Sequence, residues 1–222
     1  MEHVSKTLGQ LKNQRNTRNL TNSDTGEENA SNAPDLVRRL NISTMRHTLP
    51  NFERITGSED MLDAITKMAN GTSDRKFAFF YGTTGNGKTF LIESLLIAWA
   101  SKEIFTRYNT NSQLMRLLKR CMNPNSVTSY EEMFDRICNW DRLIIDDVGM
   151  GTVEGTWELA TLEDIINERY HRRYQPHPII TIMATNKDIA QIPDRITSRF
   201  YDPEVGMVVF NRAIDYRKRK PK

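Results

Sequence analysis

The sequence predicts an α/β fold, in which a parallel central sheet carries helices on both faces to make three layers. Three observations predict it. Short apolar runs of strand character alternate with longer stretches of helical period through the middle of the chain, and strands that alternate with helices pair in parallel. One such run leads directly into a glycine-rich loop that opens a helix. Another ends in two adjacent carboxylates, Asp146 and Asp147.

The elements follow in order. Ser58, as an N-cap, introduces a helix with Met61, Leu62, Ile65 and Met68 on one side, and Gly71 ends it. The first strand is Lys76 to Tyr81, followed by the loop Gly82 to Thr89 and a helix carrying Phe90, Leu91, Leu95, Ala98 and Trp99. A second strand is expected at Ile104 to Tyr108, a helix at Ser112 to Cys121, a polar loop through Pro124, and a helix at Tyr130 to Cys138. The third strand is Arg142 to Ile145. A long helix from Glu158 to Tyr174 then leads through Pro176 and Pro178 to the fourth strand, Ile179 to Ala184, which ends at Thr185 and Asn186.

Composition bounds the class. At 222 residues the chain has room for one domain with a short appendage, not for two full-sized domains. No apolar stretch approaches the roughly 20 residues of a membrane span, and 27% of residues are charged, so no membrane association is expected. Met1 to Gln10 has no apolar run behind a basic start, which argues against a secretory signal and for a cytoplasmic location. Cys121 and Cys138 lack CxxC spacing and nearby histidine pairs, so they read as reduced thiols rather than a disulfide or zinc site.

The chain divides into three expected parts. Residues 1–48 form a largely disordered arm, because Met1 to Pro34 is rich in Asn, Thr and Ser and has too few large apolar side chains to offset its ordering entropy. Within it, Asp35 caps a short helix through Leu36, Val37 and Leu40, a candidate docking element for a partner. Residues 49–217 form the domain, and 218–222 a basic tail. The net charge of +3 does not by itself call for nucleic acid, and the basic run from Arg212 reads equally as a solvated tail or as a DNA contact.

Gly82 to Thr89 fits G-x-x-x-x-G-K-T, a phosphate-binding loop. Its glycines, Gly82, Gly85 and Gly87, let the backbone curl so that the N–H groups of Thr83, Thr84, Asn86 and their neighbours through Phe90 face phosphate at a helix N-terminus. Lys88 reaches the β- and γ-phosphates, and the Thr89 hydroxyl binds magnesium. Asp146 stands where it can hold the same magnesium and Asp147 where it can polarise an attacking water. Asn186, at a strand tip, could set an amide beside the γ-phosphate, although such an Asn also serves as a turn former. The pattern implies a P-loop NTPase using ATP and Mg²⁺.

In this order the motifs resemble those of AAA+ ATPases in the group of DnaC helicase loaders and IstB transposition helpers. The likeness runs from Asn51 to Arg217. It rests on Asn51 to Glu53 ahead of the first helix, the phosphate loop, Leu143 to Gly149, Ile165 to Tyr170, Thr185 with Asn186, and Arg195 to Phe200. The resemblance implies an AAA+ fold without a full C-terminal lid domain, because little sequence follows Arg217. It makes Asn186 the sensor 1 residue, Arg199 an arginine finger acting on a neighbouring subunit's ATP, and Arg195 a supporting interface arginine. It also makes Arg217 either a sensor 2 residue or part of the basic tail. A finger acting in trans requires self-association, in this group an ATP-bridged oligomer or spiral.

Arg116, Lys119 and Arg120 correspond to a region that faces single-stranded DNA in such spirals, and lysine and arginine suit phosphate contacts. They read equally well as the wet face opposite Leu114, Met115, Leu117 and Leu118. The function implied is loading of a replicative helicase during initiation of DNA replication, with slow ATP hydrolysis stimulated by DNA or partner. Slowness is expected because Asp147 stands where most of the wider family has glutamate. The alternative is a transposition helper that recruits a transposase to target DNA. A small P-loop kinase fits less well, since it calls for an arginine-rich lid and an acceptor pocket, and a binding-only module would have lost hydrolysis.

Overall fold

The computed structural model describes residues 33–149, 155–175 and 179–218. The expected disorder of Met1 to Pro34 falls, but for its last two residues, outside this range, as does the tail from 219 onward.

Among the described residues, twelve segments fold into α-helices and strands. They are α1 (Ala33–Leu40), α2 (Glu59–Asn70), β1 (Phe77–Tyr81), α3 (Lys88–Ala100), β2 (Arg107–Thr110), α4 (Asn111–Cys121) and α5 (Tyr130–Asn139). Then come β3 (Arg142–Asp146), α6 (Trp157–His171), β4 (Ile180–Thr185), the short α7 (Asp194–Thr197) and β5 (Gly206–Phe210). The five strands form one sheet in the order β2-β3-β4-β1-β5, with every neighbouring pair parallel. This is the expected fold with one strand more. The run Met207 to Phe210 supplies β5, which pairs with β1 from Phe77 opposite Gly206 to Tyr81 opposite Phe210.

Side chains alternate between the sheet's faces, as a two-residue period requires, and this alternation builds the layers. Ala78, Phe80, Ile144, Ile182 and Ala184 pack beneath α2 and α3. Phe77, Phe79, Leu143, Ile145 and Met183 pack on the other face against α4, α5, α6 and α7. The inner strands β1, β3 and β4 are buried on both faces, which is why they read as continuous apolar runs rather than alternating ones.

Three local expectations are corrected. Strand β2 begins three residues later than the apolar signal at Ile104. Glu103 turns the chain with φ +58° and the Ile104 N–H donates to the Trp99 carbonyl, so Ile104 finishes the end of α3 and the ladder starts at Arg107. Ser58 precedes α2 but does not cap it with its side chain. Its hydroxyl donates to the Ile55 carbonyl at 2.6 Å, fastening the preceding turn. The boundary expected at residues 48/49 falls at 34/35, because Val37, Leu40, Ile42, Met45 and Leu49 all reach the core beside α2 and α3.

Arg169 on α6 is fully buried with no carboxylate partner among its hydrogen bonds. It donates instead to the carbonyls of Ile137 (2.9 Å), Cys138 (3.3 Å), Trp140 (2.8 Å) and Ile180 (2.8 Å), and to Thr181 Oγ1 (2.8 Å). Three of these carbonyls lie at the end of α5 or just past it, where backbone acceptors lack helical partners and a cation is favoured. Burial pulls the guanidinium down to about 9. Arg169→Met is therefore expected to cost about 3 kcal/mol or more, since it strands several buried acceptors at once. Thermal unfolding should show it as a midpoint lowered by about 10 °C, and an unchanged midpoint would refute this role.

Candidate nucleotide site

The expected phosphate loop joins β1 to α3, with Gly87 (φ +91°) immediately ahead of the first helical residue, Lys88. Two glycines here leave no space for a side chain. A Cβ on Gly82 would come within 2.3 Å of the Asn211 carbonyl oxygen, and one on Gly85 within 1.9 Å of the Asp215 carboxylate. Both contacts come from the segment after β5, which lies along the loop. Asn86 Nδ2 donates to the Asn211 carbonyl at 2.9 Å, Asn211 Nδ2 donates back to the Asn86 carbonyl at 3.0 Å, and the Tyr216 N–H donates to the Gly85 carbonyl at 2.8 Å. Packing from 211–216 thus fixes the loop's curvature.

Lys88 is only 4% exposed. Its ammonium donates to the Gly82 carbonyl at 2.7 Å, the Thr83 carbonyl at 2.8 Å and Asn86 Oδ1 at 3.0 Å. Burial draws its pKa down to about 8, against the opposing pull of Asp146 and Asp147.

Parallel pairing sets the strand end of β3 beside the loop. Thr89 Oγ1 donates to Asp146 Oδ2 at 3.1 Å, and the Tyr108 hydroxyl donates to the same oxygen at 3.1 Å. The other Asp146 oxygen accepts the Asp147 N–H at 2.8 Å. Burial, then the charge of Asp146, raises the Tyr108 pKa far above that of a free phenol, so the hydroxyl stays a donor. Tyr108 was not singled out in the sequence. It reaches Asp146 only because β2 pairs with β3, a neighbour relation that no local pattern encodes.

Asp147 takes a left-handed conformation, φ +54°, which Asp tolerates better than most residues. Asn186 Nδ2 donates to Asp147 Oδ1 at 2.9 Å. Burial and the neighbouring Asp146 raise the Asp147 pKa, while Lys88 and Asn186 lower it.

These groups meet in a cleft of about 740 Å³. His47, Phe52, Thr84 to Phe90, Asp147, Asn186, Tyr216 and Arg217 are among the residues lining it. The Arg217 side chain is mostly exposed at the cleft, with Nε 3.8 Å from Asp215. Arg195 and Arg199 do not line it. Arg195 is 83% exposed, with Nη1 3.8 Å from Glu163, and Arg199 Nε donates to Asn167 Oδ1 at 3.1 Å with its guanidinium 5.0 Å above the Tyr170 ring. Of the three cations on α4, Arg116 and Arg120 are exposed, while Lys119 pairs with Glu158 and lies 5.3 Å over Trp157.

Cys121 and Cys138 are buried free thiols, the latter pushed up to about 12 by burial. Among the described residues no three His, Cys, Asp or Glu side chains gather as a metal cage, and no helix is long and apolar enough to cross a membrane.

A five-stranded parallel sheet between helical layers, with a phosphate loop after one inner strand and acidic residues at the tip of another, defines a P-loop protein of the AAA+ class. The chain belongs to the family of bacterial DnaA ATPase domains, whose model matches residues 44–209. Similar solved structures include AMPPCP-bound DnaA from Aquifex aeolicus, with TM-score 0.61 and 20% identity over 76% of this chain and 50% of that one. Domain III of the Thermotoga maritima replication initiation protein DnaA gives 0.62 and 22% over 76% and 68%. A DnaC helicase loader gives 0.61 and 18% over 76% and 98%. At these identities the likeness is one of fold, and the chain spans half the length of the Aquifex protein. No curated protein matches the sequence.

Proposed function

We propose that the chain binds and hydrolyses ATP with magnesium, assembles on DNA as an ATP-bridged oligomer in the cytoplasm, and loads a replicative helicase as DNA replication begins. The observation that carries this reading is the convergence of Lys88, Thr89, Asp147 and Asn186 on one cleft, with Asp146 hydrogen-bonded to Thr89 behind it. Phosphate chemistry needs a cation for the β- and γ-phosphates, oxygen ligands for a metal, and a carboxylate for the attacking water.

Thr89 Oγ1 and Asp146 are oxygen donors already in contact, a set that suits magnesium, which takes one or two protein oxygens and completes its shell with phosphate and water. Bound there, the metal would neutralise charge on the phosphates. Lys88 would bind the phosphates from the loop side, Asp147 would accept the proton of the attacking water, and Asn186 would orient that carboxylate. Arg199, which does not line its own cleft, would serve the site of a neighbouring subunit, with Arg195 beside it. Arg217, at the cleft in its own chain, would contact the γ-phosphate in cis.

Helicase loading draws support from the similar DnaC structure, nearly all of whose length this chain covers. Arg116, Lys119 and Arg120 on α4 are the proposed contacts for single-stranded DNA. The helicase contact is assigned to the N-terminal arm together with the exposed Arg38 and Arg39 of α1, whose Val37 and Leu40 pack against the core.

The test is to mix the protein with the replicative helicase of its own source, with ATP or ADP, and measure complex formation and transfer of helicase onto single-stranded DNA circles. ATP-dependent loading is expected. Filaments on duplex DNA without helicase contact would instead favour transposase recruitment. Lys88→Ala should weaken ATP binding by about tenfold to a hundredfold, the worth of a hydrogen bond to a charged group. Calorimetric titration measures it, and an unchanged affinity would remove Lys88 from the phosphate site.

A further inference from the structure

We propose that His47, held in place by the buried carboxylate of Glu93, is the residue that seats the nucleoside end of the nucleotide. The inference deepens the ATP-binding reading and rests on it. Glu93 lies on α3 with its side chain 3% exposed, a position in which a carboxylate is costly unless it is fully partnered.

All the partners the structure gives it come from one short segment. The Ser43 N–H donates at 2.9 Å, the Ser43 hydroxyl at 2.8 Å, and His47 Nδ1 lies at 2.5 Å. A carboxylate is an acceptor, so this contact sets the hydrogen on Nδ1 and fixes the plane of the ring.

The fixed ring has a second side. Its centroid is 4.2 Å from that of Phe90, and Phe90 is 5.4 Å from Phe52. His47, Phe52 and Phe90 all line the cleft that also holds Thr84 to Thr89. A nucleoside triphosphate has a polyanionic end and a flat aromatic end. The loop suits the first, and the His47, Phe52 and Phe90 rings suit the second, since bases stack on aromatic faces without needing hydrogen-bond readout. His47 is 29% exposed, which leaves part of its ring open to such a contact. Glu93 acts through it as a positioning residue.

The experiment compares calorimetric binding of ATP with that of inorganic tripolyphosphate, which carries the phosphates and no nucleoside. His47→Ala is expected to weaken ATP about tenfold and leave tripolyphosphate within about twofold, while His47→Phe, which keeps a stacking face, stays near wild type for both. Glu93→Gln should show the same selective loss at about threefold, and no further loss when added to His47→Ala.

Equal weakening of both ligands in His47→Ala, or no weakening of ATP, overturns the proposal. Wild-type protein that binds neither ligand would defeat the ATP reading itself, whereas tripolyphosphate binding as tight as ATP binding would defeat only the nucleoside seat.

Discussion

Arg199→Ala is expected to lower steady-state ATP turnover by about a thousandfold or more while leaving ATP affinity within about threefold. A guanidinium supplied to the transferring phosphoryl group contributes rate on that scale, because it meets charge that develops only in the transition state. The geometry fits delivery to another subunit. Nε is occupied by Asn167 and the guanidinium lies 5.0 Å above the Tyr170 ring, an arrangement that fixes the direction of the fork, and the residue does not line the cleft of its own chain.

A mixing experiment separates trans from cis action. Lys88→Ala subunits bind ATP poorly but keep Arg199, and Arg199→Ala subunits bind ATP but lack the finger. Mixed together, the two inactive proteins should recover measurable turnover, rising with total concentration as mixed oligomers form. Failure to recover any activity, with Arg199→Ala alone still impaired, would show that the arginine acts within its own subunit. Arg195→Ala should cost far less, since its side chain is 83% exposed and its ion pair to Glu163 is a long one, at 3.8 Å.

What was legible in the sequence was what local pattern encodes. The phosphate loop announces itself because two glycines, a lysine and a threonine must stand at fixed spacing after a strand, and Gly82 and Gly85 stand where any side chain would collide with 211–215. The collision itself was not legible, because it depends on a segment more than a hundred residues away. Tyr108 and β5 were missed for the same reason. A strand of five residues at a sheet edge and a tyrosine that touches Asp146 acquire their meaning from strand order, not from their neighbours in the chain. The start of the domain was set too late because 35–48 is polar overall. The few apolar residues that reach the core, Val37, Leu40, Ile42 and Met45, follow no single helical or strand period. The clasp of Ser43 and His47 on Glu93 lies in that same stretch, and a buried glutamate on a helix as apolar as α3 is the one sequence signal that could have pointed to it.

Asp147→Asn is expected to reduce turnover by about a hundredfold to ten-thousandfold, the usual worth of a positioned general base, with ATP binding retained or tightened. The substitution is chosen for what it preserves. Asn tolerates the left-handed φ of +54° as well as Asp does, and its amide oxygen can still accept from Asn186 Nδ2, so neither the backbone nor the 2.9 Å contact has to change. What disappears is the capacity to take a proton from water, together with a negative charge beside Asp146 and the phosphates. Losing that charge removes a repulsion in the ground state, which is why affinity should hold or rise while the rate falls. Asn186→Ala should give a smaller loss of rate through the same carboxylate, and the double variant should be little worse than Asp147→Asn alone, because Asn186 acts by orienting a base that is no longer there. Asp147→Glu extends the carboxylate by one methylene toward the water and is expected to keep or raise turnover. Single-turnover hydrolysis on saturating enzyme reads the chemical step directly. If Asp147→Asn turned over at the wild-type rate, the water would have to be activated elsewhere, and the Asp147–Asn186 pair would be a strand-end latch rather than the base of the reaction.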